Sequence, residues 1–236
     1  MSIVCVISAG RPQNVAPMKD KIGYRRIVWF VPPEQEGEYA LAGADEIQTA
    51  EGLCGARNAA LEFCFEQGEA CVQTDDDLKV IHALPKTDPK RELSFDDVVL
   101  EMEKALDETG LMLAGCSPTN NLFFAKEGTS THKFIIASLM LARPEPFVRF
   151  DPEFRTKEDY DYTLQHWDVY GGAARCDWIA PNYAHYTNAG GAVDIRTDEV
   201  EQASIARLLE KWPGLVRLNP KRENEVLLKT LRGSAA

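Results

Sequence analysis

Three aspartates stand side by side in VQTDDDLKV, residues 72–80, directly after an apolar run. Like charges that close repel: two carboxylates about 4 Å apart cost roughly 4 kcal/mol at an effective dielectric of 20, and one of them takes up a proton unless a cation intervenes. Side chains alternate along a strand end, so Asp75 and Asp77 are expected to point one way and Asp76 the other. Two converging carboxylates suit a hard divalent ion, Mn²⁺ or Mg²⁺, which keeps coordination positions open for substrate phosphate. The spacing therefore suggests a metal bridging the protein to a diphosphate, with a solvated acidic turn as the plain alternative. A helix-loop-helix calcium site fits worse, because it needs Gly at position 80 and Glu at 86, where this chain has Val80 and Lys86.

Three other stretches carry residue types that belong with such a site. GARN, residues 55–58, offers Arg57, whose guanidinium makes paired hydrogen bonds to phosphate oxygens, and Asn58, whose amide reads a base or ribose edge. A surface ion pair is the simpler role for Arg57. In RFDPEFRTKEDYDYTLQHW, Arg155, Lys157, Glu158 and Asp159 are expected in a turn before a helix, with Tyr160 and Asp161 in its first turn. Acids there favour the helix macrodipole, but transfer onto a hydroxyl also needs a positioned carboxylate, and Asp159 is the first choice for that general base, Glu158 the second. NYAHYTNAGGAVD sets His185 in a glycine-containing loop, where its imidazole can complete a metal site; Asn188 and the backbone of Gly190 and Gly191 can line the same pocket. His82, His132 and His166 read as structural.

Something must hold these groups together. Residues 2–8 and RIVWFV (26–31) read as buried strands, ACVQT as a strand ending on the aspartates, and LMLAGCS, KFIIASLMLA and ARCDWIAP as further strands. Helices are expected from Glu51 to Gly68, from Ser94 (paired with Asp97 in a capping pattern) to Gly110, across KEDYDYTLQHWDVYGG, and from about Thr197 to the proline of WPG. Strands alternating with helices predict an α/β fold with a mixed, mostly parallel sheet covered by helices on both faces. Ligands in such sheets bind beyond the carboxyl ends of the strands, where the aspartates fall.

The chain has 236 residues, 44% hydrophobic and 27% charged, which suits one sizeable domain with a tail. No apolar run approaches the roughly 18 residues of a membrane span, and the first residues show neither a basic leader nor a processing site, so a cytoplasmic protein is expected. Six cysteines without a CxxC pair, mostly inside apolar runs, read as reduced thiols. The formal charge is −11, but residues 205–236 carry seven basic side chains against three acidic ones, leaving the first 204 residues at −15. Such a basic tail is either a solvated helix face or a patch for an anionic partner.

Together these pieces resemble a GT-A (Rossmann-like) glycosyltransferase. SAGR ends the first strand, where that fold places its nucleotide; GARN precedes the next motif; TDDDL matches the DxD motif; and KEDYD matches the downstream acidic motif that carries the base in inverting members. More narrowly, KEDYDYTLQHWDVYGGAAR, TNAGGA and WPGLVRLNPKRENEV look like the TET/JBP-associated glycosyltransferases, which include phage enzymes and the relatives that glucosylate hydroxymethyluracil in base J synthesis. The resemblance implies a GT-A domain over residues 1–204, with the basic tail, 205–236, packed on it. It implies a metal-dependent hexosyltransferase that moves glucose or a related hexose from a UDP-sugar to 5-hydroxymethylcytosine or 5-hydroxymethyluracil in DNA, in the host cytoplasm if phage-encoded. On that reading Ser8, Gly10, Arg11, Arg57, Asn58, Asp75, Asp76, Asn188, Gly190 and Gly191 meet the nucleotide-sugar, and Asp75, Asp77 and His185 hold Mn²⁺ or Mg²⁺. Asp159 deprotonates the acceptor hydroxyl, and Arg143, Arg149, Arg155, Lys157, Lys221 and Arg222 face DNA. A polysaccharide or protein hydroxyl as acceptor, a sugar-nucleotide pyrophosphorylase and a non-catalytic binding module are the rivals. SAGRPQNVAPMKDK is a poor version of the pyrophosphorylase's longer Gly-rich loop with its Arg and downstream Pro-Lys.

Overall fold

The computed structural model of the chain describes residues 2–84, 91–121, 126–184 and 197–229. The chain opens with β1 (Ser2–Ile7), α1 (Val15–Ile22), β2 (Ile27–Val31), α2 (Glu36–Leu41) and β3 (Ile47–Thr49). Then come α3 (Gly52–Glu66), β4 (Ala70–Asp75), β5 (Leu78–Ala83), β6 (Glu92–Leu93), α4 (Phe95–Thr109) and β7 (Leu113–Cys116). The remainder is β8 (Thr129–Ser130), β9 (Leu139–Ala142), α5 (Glu158–Tyr170), β10 (Ala174–Cys176), β11 (Ile179–Tyr183), α6 (Asp198–Lys211), β12 (Val216–Leu218) and β13 (Val226–Leu228).

The main sheet runs β3-β2-β1-β4-β9-β7-β10-β8. β2 pairs in parallel with both β1 and β3, as do β1 with β4 and β7 with β10, whereas β9 runs against both of its neighbours, β4 and β7, and β8 against β10. This is the mostly parallel mixed sheet the alternation predicts, and it is consistent with a Rossmann-like fold. The chain builds outward from β1 to β3 and returns on β1's other side as β4, so the topological switch point lies between β1 and β4, where a crevice opens beyond the strand ends.

Alternation along β1 sorts the core into two layers. Ile3, Cys5 and Ile7 pack with Ala60, Leu61 and Cys64 of α3, with Tyr162 and Trp167 of α5, and with Ile205 and Leu208 of α6. Val4 and Val6 face Met18 of α1, Tyr39 of α2, Val99 and Met102 of α4, and Leu78 and Ile179 of the small sheet β11-β5-β6. Helices thus cover both faces. Ser94 caps α4 as expected, accepting from the N–H of Asp97, and Gly110 ends it in the left-handed conformation. All six cysteines are buried free thiols; Cys5, Cys64 and Cys71 converge, with the sulfurs of Cys5 and Cys64 3.4 Å apart. None of the described helices is long and apolar enough to cross a membrane.

Three expectations change. KFIIASLMLA becomes a strand only at Leu139, and residues 133–138 cross the edge of the sheet as irregular chain. Ile135 is seated there against Gly115 of β7, where a Cβ would overlap its side chain. ARCDWIAP breaks at Asp177–Trp178 into β10 and β11, which belong to different sheets, with buried Asp177 held by Ser130 and Arg175. The helix of the KEDYD motif begins at Glu158, so Glu158 and Asp159 lie in its first turn rather than before it. The boundary at 204/205 lies inside α6, and the described part of the basic segment is the second half of that helix plus the β12–β13 hairpin, anchored in the core through Ile205, Leu208, Val216 and Val226.

Candidate active site

β1 and β4 pair with Ile7 opposite Asp75, so Ser8 and the aspartates emerge side by side at the switch point. β4 stops at Asp75 because the chain turns through Asp76 and Asp77 into β5. The alternation that would aim Asp75 and Asp77 together therefore fails at this turn: Asp76 and Asp77 share Arg11, while Asp75 is held by Arg57. Asp76 is 1% exposed. It accepts from Ser8 Oγ and from Arg11 Nε at 3.0 Å, and Arg11 Nη2 lies 2.8 Å from its other oxygen. Arg11 Nη1 is 3.6 Å from Asp77. Tyr39 OH bonds Ser8 Oγ and accepts the Arg11 N–H at 3.1 Å, and Gly10 N donates to Gln35 Oε1 at 2.6 Å. The SAGR loop is thereby fastened to the aspartate turn. Burial pushes Asp76 up to about 6, against the pull of Arg11 and Ser8.

Arg57 joins this turn to the second acidic motif. It projects from α3, is 3% exposed, and donates from Nη2 to Asp75 Oδ1 at 3.1 Å and from Nη1 to the Ala137 carbonyl at 2.9 Å. Its Nε lies 3.4 Å from Glu158 Oε1, and its guanidinium carbon sits 5.7 Å from the centre of the Phe150 ring. Lys157 precedes α5 with φ 62°, an uncommon conformation for a residue with a Cβ, and it sets Glu158 and Asp159 at the crevice. Desolvation and the charge of Glu158 push Asp159 up to about 7, against the opposing pull of Arg57. Residues more than 80 positions apart in the chain thus meet around two guanidinia: Asp75, Asp76, Asp77, Glu158 and Asp159 face Arg11 and Arg57.

Other expected site residues take different places. Asn58 uses both ends of its amide on the backbone of Phe150, each at 2.8 Å, so it pins that loop instead of presenting an edge to a nucleotide. Lys157 is bonded to Glu201 of α6, and Arg149 is occupied by Glu145, the Val148 carbonyl and the Phe65 ring. Arg143 pairs with Asp107, and Arg222 with Glu225 at 2.9 Å. Arg155 and Lys221 are exposed. The basic face of α6 is largely neutralised within the molecule: Arg207 meets Asp151 and Glu153, and Lys211 meets Asp151 and Asp161. His185, Asn188, Gly190 and Gly191 lie outside the described residues. The described chain reaches Asp77 just before them, with the Ala184 N–H donating to the Asp77 carbonyl at 3.0 Å.

Sequence reasoning passed over the edge segment itself. Ala137 gives its carbonyl to Arg57, and Ser138 accepts from the Asp75 N–H at 3.0 Å and from Tyr183 OH, which also bonds Thr74. Phe134 stacks on Tyr160, beside Asp159, with ring centres 4.0 Å apart. Main-chain carbonyls leave no residue-type signature, so these roles were invisible in the sequence.

No protein-family model and no curated protein matches the chain. Carboxylate oxygens, the donor type a hard divalent ion takes, outnumber the guanidinia in the crevice, but among the described residues no three of them lie close enough together to hold one. Asp75, with its side chain 23% exposed, is the most open of the three aspartates. The described group of three clustered metal-capable side chains, Cys5, Cys64 and Cys71, is a soft, buried thiol set and does not suit Mg²⁺ or Mn²⁺.

Proposed function

We propose that the protein is a metal-dependent glycosyltransferase of the GT-A type that moves a hexose from a UDP-sugar to the hydroxyl of a 5-hydroxymethylpyrimidine in DNA, with inversion. The observation that carries the reading is the meeting of the aspartate turn and the Glu158–Asp159 motif around Arg57 at the β1/β4 switch point. The strand order and the SAGR loop bonded to Asp76 support the nucleotide half of it. The acceptor comes from the sequence resemblance.

Asp75, the most open of the three aspartates, would be the first ligand of Mn²⁺ or Mg²⁺, and Asp77, which Arg11 now holds, would have to turn toward it; His185 lies outside the described residues. Such an ion supplies Lewis-acid stabilisation of the leaving diphosphate. The remaining work falls to the chain. Arg57 holds Asp75 and Glu158 at fixed separation and contributes positive charge beside the departing phosphate. Asp159, poised near neutrality, accepts the proton of the acceptor hydroxyl as that oxygen forms its bond to the anomeric carbon and the bond to the diphosphate breaks. A single displacement of this kind inverts the anomeric centre.

One observation favours a second reading, in which the same donor chemistry serves a glycan or protein hydroxyl: the basic side chains expected to meet DNA are mostly paired internally. The experiment is to incubate the protein with UDP-sugars and either hydroxymethylated DNA or glycan acceptors, with and without EDTA, and to weigh the products. A hexose increment on the hydroxymethylated nucleoside, lost with EDTA, is expected. An increment only on the glycan moves the acceptor; no transfer to any acceptor, with UDP unbound, overturns the proposal.

A further inference from the structure

Between the sheet and α3 the chain gathers three thiols. Cys5 of β1, Cys64 in the last turn of α3 and Cys71 of β4 are each 0% exposed, and their sulfurs all lie within 4.8 Å of one another. Cys5 and Cys64 are 3.4 Å apart. Thiols that only fill space in a core need no common focus: Cys54, Cys116 and Cys176 are buried as well, and none of them joins such a group among the described residues.

The elements dictate the convergence. Ile3 and Cys5 share one face of β1, and Cys71 stands on the neighbouring strand opposite Ile3, so the two strand thiols point into the same layer of the core. Cys64 comes down on them from α3, one turn after Ala60, whose carbonyl accepts from Cys71 Sγ at 3.4 Å.

The spacing selects a coordination number. An ion bonded to three sulfurs at about 2.3 Å, in one plane with them, sets those sulfurs roughly 4.0 Å apart. The distances here, from 3.4 Å up to 4.8 Å, bracket that value. No fourth carboxylate, imidazole or thiol joins the group among the described residues, whereas Zn²⁺ in a closed site takes four ligands. Thiolate sulfur is soft and selects soft ions, of which Cu⁺ is content with three sulfurs and brings a single charge.

The protonation pattern suits such an ion. S–H donation from Cys5 and from Cys71 lowers the Cys64 thiol, with burial opposing, while burial raises Cys5 and Cys71. One sulfur is thereby prepared as the anion and two as its donors. A thiolate enclosed by apolar side chains is costly without a cation, and one positive charge at the centre of the triad offsets it.

We propose that Cys5, Cys64 and Cys71 form a three-coordinate site for a soft monovalent metal ion, Cu⁺ in kind, which ties α3 to β1 and β4. Binding is ligand exchange without change of oxidation state: Cu⁺ leaves its carrier, bonds to Cys64 as the thiolate, and any proton lost from Cys5 or Cys71 passes to solvent. The site does not depend on the transferase reading.

The test is anaerobic titration of the reduced full chain with Cu⁺ against a chromogenic chelator, both on the folded protein and on protein refolded with the ion, followed by X-ray absorption at the copper edge. One equivalent is expected, with three sulfur neighbours at about 2.3 Å. A roughly 100-fold excess of Zn²⁺ is expected to leave the copper in place. Cys64→Ala is expected to weaken Cu⁺ binding by at least about tenfold, and Cys116→Ala, outside the triad, to change nothing; circular dichroism of the metal-free variants shows whether they are folded. Copper retained by neither preparation, fewer than three sulfur neighbours, displacement by Zn²⁺, or unchanged affinity in folded Cys64→Ala overturns the site. Should that variant fail to fold, the sulfur count on the intact chain decides alone.

Discussion

Around Arg57, five carboxylates face two guanidinia at low exposure; along α6 and the hairpin after it, basic side chains meet acids in near balance close to the surface. In the sequence both regions are simply clusters of charge. In the crevice burial, with like charges beside it, raises Asp76 to about 6 and Asp159 to about 7 against the pull of the guanidinia. At Asp151, desolvation opposes ionisation but is outweighed by the Glu153 N–H, Arg207 and Lys211, which hold that carboxyl below its usual range. The difference teaches that net charge per segment says little until partners are counted. The acidic region keeps more carboxylates than guanidinia, whereas most of the basic one's charge is paired in holding the C-terminal segment to the body.

This contrast can be broken experimentally. Removing Arg57 strands two carboxylates and the Ala137 carbonyl, so Arg57→Ala is expected to lower unfolding stability by about 3–5 kcal/mol, measured by urea denaturation. An unchanged midpoint would mean that the crevice is not held by that side chain. Asp159→Asn is expected to reduce kcat by roughly 10²–10⁴ while UDP affinity stays within about twofold. The pH profile sharpens the same point. With its folded value at about 7, Asp159 is mostly protonated below neutrality and free to act as a base above it. Then kcat/KM is expected to rise about tenfold per pH unit below 7 and level off above, and a profile flat from pH 5 to 9 removes Asp159 from the base role.

In the balanced region the effects are smaller. Lys211→Ala, which removes a half-exposed partner of Asp151 and Asp161, is expected to cost about 1 kcal/mol in the same denaturation assay. Lys221→Ala is expected to flatten the slope of log affinity for DNA against log salt by about one unit, and Arg222→Ala by less, because Glu225 already answers its charge. No change from either takes the hairpin off the DNA-facing surface.

The elements were legible wherever a local rule was sufficient. β1, β2 and β4 are apolar runs, α4 has its Ser94 cap and Gly110 stop, and α6 begins at Thr197 and ends before Pro213. Boundaries failed where a tertiary contact decides. Residues 133–138 have strand composition, yet Ile135 docks on Gly115 and the Ile135 N–H finds Thr163 in place of a ladder partner. A left-handed Lys157 has no sequence signature, so the start of α5 was set two residues late. The acidic residues and Arg57 were singled out by type and spacing, and Arg11 by the resemblance of SAGR to a nucleotide-binding loop. Which acid each guanidinium takes was not, because the turn at Asp76–Asp77 ends the alternation on which the pairing rested.

Arg57 has one further consequence. A single rigid, planar fork touches the end of a central strand, the edge segment and the first turn of α5 at once, from inside the core. The aspartate turn and the first turn of α5 are therefore not independent moving parts. Any displacement that reaches Asp75 is handed through one side chain to Glu158, so the two acidic motifs share an alignment and lose it together.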